Sequence, residues 1–186
     1  EPLAGQRFPE LTSAGRADAA IAFSARHADV HLLSSPERVA LADESARLRQ
    51  AAKQAGRDVS AGVRLTVIAR ATEEAAKQDF ERAIAELPAG KRTEVIRPLE
   101  PHLWSGFDRL GAAGAHGLVG SYETVAAKLN ELAELGIRRF VLAGRPHLEE
   151  AYRFAEHVAP KLHGWAARAK AAAPAQSTFP ASEATP

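Results

Sequence analysis

Segments typical of β-strands alternate with segments typical of α-helices along this chain, and this order constrains the fold more than any other feature. The predicted strands are short and apolar, and they cover residues 10–13, 30–33, 63–69, 118–120 and 140–143. Helices with apolar stripes are predicted over residues 19–25, 34–55, 72–87, 121–135 and 148–162. Alternating units of this kind form a parallel sheet joined by right-handed connections. The sequence therefore predicts an α/β fold.

Two architectures fit this order, an open doubly wound sheet and part of a (β/α)8 barrel. A complete barrel needs eight strands and about 250 residues, whereas the chain has 186 residues. Residues 88–116 contain prolines and glycines without a sustained period, which predicts a long mobile or functional loop. Residues 166–186 change into a Pro/Ser/Thr-rich stretch, which predicts a disordered tail. One folded domain is therefore expected over residues 1–165.

Composition excludes several classes of function. The chain has 24 basic and 23 acidic residues, without the basic excess of proteins that bind nucleic acids through phosphate neutralisation. No apolar run approaches the roughly 20 residues that cross a bilayer. The absence of cysteine excludes disulfides and thiolate zinc sites on this chain, and the histidines form no ligand set, so no metal is expected. With no methionine and a start at Glu1, the sequence is expected to be processed or part of a longer chain.

The strand over residues 63–69 carries a guanidinium on one of its faces. Side chains alternate along a strand, so Arg64, Thr66 and Ile68 share a face, opposite to a wholly apolar one. A buried arginine needs a carboxylate partner or an anionic ligand. Arg64 is therefore a candidate for anion binding, with a structural ion pair as the alternative, while Thr66 is explained equally by its preference for strands.

Three connecting segments carry further candidates. The turn Gly15-Arg16-Ala17 joins a strand to the start of a helix, where backbone N–H groups and the helix dipole suit a phosphate. Arg145 and His147 follow the last strand, at the end where ligands bind in both architectures. Arg92 lies in the predicted loop and could close over an anion. A plain turn, a solvated loop and a solvated basic residue are the respective alternatives.

The most specific stretches of the sequence follow one another between residues 102 and 153. They are His102-Leu103-Trp104, Gly111-Ala112-Ala113-Gly114, Leu118-Val119-Gly120, Ala133-Glu134-Leu135-Gly136-Ile137 and Pro146-His147-Leu148-Glu149-Glu150-Ala151-Tyr152-Arg153. In this order they resemble the C-terminal half of the bacterial luciferase-like flavin monooxygenases, most closely the FMNH2-dependent alkanesulfonate monooxygenases. The resemblance covers about residues 9–163. It implies a (β/α)8 barrel of which this chain supplies the C-terminal half, about four βα units.

The resemblance implies a two-component enzyme. A separate NAD(P)H-dependent flavin reductase would supply reduced FMN, and the enzyme would use O2 to convert an alkanesulfonate or related organosulfur compound into an aldehyde and sulfite. The remaining strands and several site residues would lie in an N-terminal half. Pairing with that half, or a homo-oligomer, is expected because half a barrel leaves strand edges unpaired. The family resemblance also implies a cytoplasmic enzyme.

Site residues follow from the resemblance by position. Arg64 corresponds to the inward-facing arginine of the family, Arg92 to the arginine of the mobile loop, and His147 to the histidine of a Tyr-Pro-His motif. The resemblance implies catalytic roles for these three residues, because the family holds anionic oxygens with its arginines. The turn Gly15-Arg16-Ala17 corresponds to the segment that holds the flavin phosphate.

Three positions depart from the sulfonate enzymes. Ala17 replaces the serine that is often present in the phosphate turn, which leaves only backbone donors there. Thr66 stands where they have a histidine, and Arg145 stands where they have the tyrosine of Tyr-Pro-His. Both residues are expected to contact substrate, and the added cation favours a more anionic or differently placed one. The departures leave two other interpretations open: a deazaflavin-dependent oxidoreductase of the same fold, which transfers hydride without oxygen, and an inactive truncated half-barrel.

Overall fold

The computed structural model describes residues 9–87, 96–110 and 114–164, and within them the predicted alternation of strands and helices is present. The strands are β1 (Thr12–Ala14), β2 (Val30–Leu32), β3 (Ser60–Arg70), β4 (Arg97–Glu100), β5 (Leu103–Ser105), β6 (His116–Ser121) and β7 (Ile137–Ala143). The helices are α1 (Asp18–His27), α2 (Arg38–Gln54), α3 (Glu73–Ala85), α4 (Tyr122–Glu134) and α5 (His147–Arg153). A π-helical turn over Phe154–Val158 continues α5. No helix among these residues is long and apolar enough to cross a membrane.

The long strand β3 organises the sheet. It pairs in parallel with β2, β6 and β7, and β1 extends the sheet in parallel beyond β2. Ala61 is paired with residues of both β2 and β7, and Thr66 with residues of both β6 and β7. Because a residue has one neighbour on each side, β7 occupies one edge of β3, and β2 and β6 share the other. The predicted α/β fold with a mainly parallel sheet is confirmed.

The side chains of β3 divide between two hydrophobic clusters. Val63, Leu65, Val67 and Ala69 are buried in the larger cluster, together with leucines of α2 and α4. Ile68 points to the opposite face and packs against Phe80 of α3. In a regular (β/α)8 barrel all helices lie on the outer face. Here β6 lies on the same edge of β3 as β2, so a right-handed connection from β3 to β6 crosses the other face and carries α3 there.

Local sequence signals explain several helix ends. The side chain of Thr72 accepts a hydrogen bond from the N–H of Ala75 at 3.2 Å, and Ser121 accepts one from Thr124 at 3.1 Å, so both predicted starts are confirmed. Ser34 and Glu37 have the spacing of a capping box, which predicts a helix start at residue 34, and this prediction is wrong. The hydroxyl of Ser34 donates instead to the buried carboxylate of Glu44 at 2.7 Å, and α2 begins only at Arg38.

The predicted loop over residues 88–116 contains regular structure. Strands β4 and β5 pair antiparallel, and β5 pairs antiparallel with β6. A 3₁₀-helix follows at Phe107–Leu110. The sequence predicts a long mobile or functional loop here and misses these strands, because they are three or four residues long, too short to show a period of two. Residues 88–95 and 111–113 and the predicted tail lie outside the described residues.

Candidate functional site

A cavity of about 820 Å³ lies at the C-terminal end of β3, on the face that carries Ile68. Its walls come from β3, from α3, from the 3₁₀-helix and from the loop after β7. Carboxyl ends of parallel strands are where ligands bind in α/β folds. The described lining residues are Thr66, Ile68, Arg70, Asp79, Arg82, Ala83, Glu86, Leu87, Phe107, Arg109, Leu110, Arg145 and Pro146.

Thr66 lines the cavity from the centre of β3. Only 5% of the residue is exposed, and its hydroxyl oxygen is buried without a hydrogen-bond partner among the described residues. Leaving such a group unsatisfied costs about 1–3 kcal/mol. Because the oxygen is closed to solvent, a ligand exchanges a hydrogen bond with it only after the Thr66 side chain rotates, and that bond then recovers this energy.

Arg145 reaches the same cavity from the loop after β7. Its Nη1 donates to the carbonyl oxygen of Leu110 at 2.9 Å, which ties this loop to the 3₁₀-helix. A carbonyl partner does not neutralise the positive charge of this guanidinium. The lining also contains three further arginines and two carboxylates, namely Arg70, Arg82, Arg109, Asp79 and Glu86. The structure thus brings together Thr66 and Arg145, the two residues that the sequence assigned to substrate.

A buried ion-pair network closes the edge of this cavity. Arg70, the last residue of β3, bonds the carboxylates of Asp79 on α3 and Glu150 on α5. Burial alone would lower the pKa of Arg70, but hydrogen bonds to Glu150 and Asp79 outweigh it and raise this pKa above its usual value. Sequence reasoning missed Arg70, although it continues the period of two from Arg64 and Thr66 along the same face.

Arg64 lies on the face of β3 that carries Thr66, but it does not line the cavity. Its side chain is exposed, contrary to the burial expected for an arginine on this strand. The reason is that the described helices leave this part of the face uncovered. The backbone of Gly114 lies close to the aliphatic part of Arg64, because a Cβ at residue 114 would lie 3.2 Å from its Cγ and Cδ.

His147 is the first residue of α5 and is exposed. It lines a second cavity, of about 390 Å³, together with Val67 and Phe140. Since Val67 belongs to the apolar face of β3, the structure places His147 and Thr66 in cavities on opposite faces of the sheet. Arg92, the remaining predicted catalytic residue, lies outside the described residues.

The predicted phosphate turn has a tight geometry of its own. Gly15 has a φ of +140°, and a Cβ there would lie 2.7 Å from the Cβ of Ala20, so only glycine fits. Helix α1 begins directly after Ala17, which provides no side-chain cap. Arg47 of α2 bonds the carboxylate of Asp18 beside this turn, so one cation and one anion of the chain already stand at the helix start.

Beneath this turn lies a buried polar network that sequence reasoning missed. His31 is fully buried in β2, and its Nδ1 lies 2.7 Å from the hydroxyl of Ser24. Its Nε2 lies 3.8 Å from Oε1 of Glu44, whose other oxygen accepts from the N–H and the hydroxyl of Ser34. Burial lowers the pKa of His31, although Glu44 opposes this shift. The network joins α1, β2 and α2 and is closed to solvent.

Comparison with protein-family models shows which family the chain belongs to. A family model described as luciferase-like monooxygenase matches residues 2–139, about three quarters of the sequence. The chain belongs to the luciferase-like monooxygenase family. The resemblance to bacterial luciferase-like monooxygenases is thereby confirmed at the level of the family, while the alkanesulfonate-specific member is a finer assignment.

Solved structures of luciferase-like proteins show the same fold over part of their length. EDTA monooxygenase from Chelativorans sp. BNC1 has 18% identity and a TM-score of 0.65, covering 90% of this chain and 46% of that chain. DmoA from Hyphomicrobium sulfonivorans has 21% identity and a TM-score of 0.65, covering 84% and 41%. Riboflavin lyase, solved with modified FMN and riboflavin, has 21% identity and a TM-score of 0.60, covering 82% and 42%. Coenzyme F420-dependent enzymes also match.

The chain therefore spans less than half the length of these three relatives. At such identities the likeness establishes the fold, a partial luciferase-like (β/α)8 barrel, and not the substrate. The opposite-face position of α3 is a local difference from a regular barrel.

Proposed function

We propose that this chain is the C-terminal portion of a flavin-dependent monooxygenase that oxidises an alkanesulfonate or related organosulfur compound with O2 to an aldehyde and sulfite. A separate NAD(P)H-dependent reductase would supply the reduced FMN in the cytoplasm. The observation that supports this most is the shared cavity of Thr66 and Arg145. Among the described residues, the Thr66 hydroxyl has no hydrogen-bond partner and the Arg145 guanidinium has no carboxylate partner, and both groups suit an anionic, oxygen-rich ligand.

Each predicted site residue has a proposed role. Arg145 binds the sulfonate through two parallel N–H donors, and Thr66 exchanges a hydrogen bond with a ligand oxygen, which satisfies its buried hydroxyl. Arg64 and Arg92 stabilise anionic oxygens, and His147 orients a group or transfers a proton. Because Arg64 and His147 lie outside the Thr66 cavity, these two roles require βα units beyond the described ones.

The turn Gly15-Arg16-Ala17 is the proposed holder of the flavin phosphate. The compact Gly15 and the start of a ten-residue helix favour an anion there. The carboxylate of Asp18 opposes it, and Arg47, which bonds that carboxylate, offsets its charge. The residues present thus fit the phosphate if Arg47 remains in place. Bound reduced flavin would supply the electrons that activate O2.

The proposal is tested by sulfite release. A protein that contains this chain and the additional βα units that the proposal requires is incubated with ethanesulfonate, O2, FMN and a reductase with NADPH, and sulfite is measured against a reaction without that protein. We expect sulfite release that falls at least about tenfold in Arg145→Gln, because a two-point ionic contact is lost. The matched control is Arg138→Gln, an exposed arginine of β7 that lines neither described cavity, which should change the rate less than twofold.

A second candidate is a deazaflavin-dependent oxidoreductase, which the F420-dependent structures of the same fold favour. It predicts oxidation of reduced F420 by an organic acceptor without O2, and no sulfite. If the chain binds neither reduced cofactor, it is an inactive truncated half-barrel. These three readings therefore give three different outcomes in one set of assays.

We further propose that the chain associates with a second copy or with an N-terminal half. Among the described strands β1 pairs only with β2, so its other edge presents backbone donors and acceptors for a further strand. Light scattering coupled to size-exclusion chromatography should give a mass above 19.8 kDa. A monodisperse species at that mass would contradict self-association.

A further inference from the structure

The loop that carries Arg145 is held by a side chain lying directly on its backbone. A Cβ on residue 144 would lie 2.4 Å from the Cβ of Glu150 and 2.7 Å from its Cγ. No side chain fits in that space, so glycine is required at residue 144. The N–H of Glu150 also donates to the carbonyl oxygen of Pro146 at 3.1 Å. Glu150 therefore contacts the loop on both sides of Arg145.

The carboxylate of Glu150 is fixed at its other end by β3. The residue is only 8% exposed. Arg70 reaches it through two contacts, Nη1 to Oε2 at 3.1 Å and Nη2 to Oε1 at 3.0 Å. This is the two-point geometry that gives arginine–carboxylate pairs their directional strength. Arg153 bonds the same carboxylate from the next turn of α5.

Arg70 is itself held rigidly. Its Nε bonds Asp79 of α3, and its Nη1 also donates to the carbonyl oxygen of Ala69 at 2.7 Å. The chain of contacts therefore runs from α3 through the end of β3 to Glu150 and the backbone of Gly144. Arg70 lies four residues beyond Thr66 on the same face of β3. The network therefore fixes the loop of Arg145 relative to the strand that carries Thr66.

We propose that Glu150 is a positioning residue that sets Arg145 against Thr66 in the substrate cavity. This inference rests on the proposed function, but the position of Arg145 relative to Thr66 is a property of the chain itself. Glu150 does not touch the ligand in this account. It acts through Arg145, whose bond to the carbonyl of Leu110 requires the loop to keep its present course.

The test compares two adjacent glutamates of α5. Glu150→Gln removes the ionic two-point pair, while Glu149→Gln makes the same change in charge at an exposed position. Arg70→Lys is a second variant that keeps the charge but cannot pair at two points. The readouts are the Nε–Hε NMR signal of Arg145, assigned with Arg145→Lys, the Kd for ethanesulfonate, and the melting temperature.

We expect Glu150→Gln and Arg70→Lys to shift or broaden the Arg145 signal and to raise the Kd about tenfold, the effect of weakening one charge-assisted hydrogen bond. Glu149→Gln should leave the signal in place and change the Kd less than twofold. A lower melting temperature with an unchanged Arg145 signal would overturn the proposal, because Glu150 would then be only structural.

Two further outcomes are informative. If Glu150→Gln does not fold, Glu150→Asp is used instead, because it withdraws the carboxylate by one methylene. An unchanged Arg145 signal in both Glu150→Asp and Arg70→Lys would overturn the proposal. If the unsubstituted chain does not bind ethanesulfonate, the proposed substrate fails, and the Arg145 signal alone then supports or overturns the positioning role.

Discussion

The two faces of β3 differ in what determines their side chains. On one face Val63, Leu65, Val67 and Ala69 are all buried against helices. On the other face stand an exposed arginine, a buried hydroxyl without a partner among the described residues, an isoleucine packed in the smaller cluster and an ion-paired arginine. The first face is what packing alone would select. The second keeps polar groups that packing alone would remove, which is typical of a ligand-binding surface.

The largest loss in the free energy of unfolding is expected from a substitution on the packed face. Leu65 is fully buried in the larger cluster, so Leu65→Ala should lower the free energy of unfolding by about 3 kcal/mol, through lost burial and a residual cavity. Urea denaturation measures it. Leu148→Ala, at a leucine of α5 that is 65% exposed, should change the same quantity by less than about 0.5 kcal/mol. Equal losses in the free energy of unfolding in both variants would show that Leu65 does not stabilise the packed face.

The next effect comes from placing a hydroxyl on the packed face. Val67 and Thr66 are adjacent, similar in shape and almost equally buried, at 6% and 5% exposed. Val67→Thr should lower the free energy of unfolding by about 2 kcal/mol, because the hydroxyl enters an apolar cluster. A cost below about 0.5 kcal/mol in urea denaturation would mean that the two faces do not differ as described.

A smaller effect is expected from His31, the buried polar exception beneath the helices. Its pKa is lowered by burial, against the opposing effect of Glu44, from a reference of 6.5. The unfolded chain therefore binds more protons than the folded chain below that value, and stability should fall as the pH decreases from about 6.5 towards 5, by at most about 1.4 kcal/mol per pH unit for one proton.

The control for this prediction uses a second histidine. His31→Gln should flatten the pH dependence of urea unfolding between pH 5 and 6.5. The pKa of His116 is also lowered by burial, with Asp108 and Glu37 opposing this shift. His116→Gln should therefore reduce the pH dependence of stability by a separate amount. A pH profile unchanged by His31→Gln would show that His31 does not resist protonation in the folded chain.

The smallest effect on stability is expected at the polar face. Thr66→Val removes a hydroxyl that has no partner among the described residues, so the free energy of unfolding should stay equal or rise by up to about 1 kcal/mol. The same variant should bind ethanesulfonate more weakly, as measured by calorimetry. A clear loss of stability would instead show that the hydroxyl is satisfied within the folded chain.

The sequence predicts the packed face well and the polar face only in part. Apolar alternation in β3 and the caps at Thr72 and Ser121 are local signals, so they identify strands and helix starts directly. The partnership of Arg70 with Glu150 joins residues 80 positions apart, and no local pattern encodes it. From its place in the first turn of a helix, Glu150 would be expected only to complement the helix dipole, whereas it is buried in an ion pair.

Topology explains the remaining differences. Thr66 and Arg145 line the same cavity because Thr66 pairs with Ala143, the last residue of β7, and Arg145 lies two residues further along the chain. His147 lies on the opposite face from Thr66, because α5 packs beside the apolar side of β3. The short strand β4 pairs with β5, and β5 pairs with β6. These pairings are tertiary contacts that a segment of three or four residues does not encode locally.

We propose that the polar face of β3 binds the anionic substrate. The most direct measurement is an amide NMR titration of the chain with ethanesulfonate. We expect saturable shifts at Thr66, at Leu110 and in the loop containing Arg145, which disappear in Arg145→Gln. Saturable shifts confined to the turn at Gly15, or no saturable shifts at all, would contradict the claim.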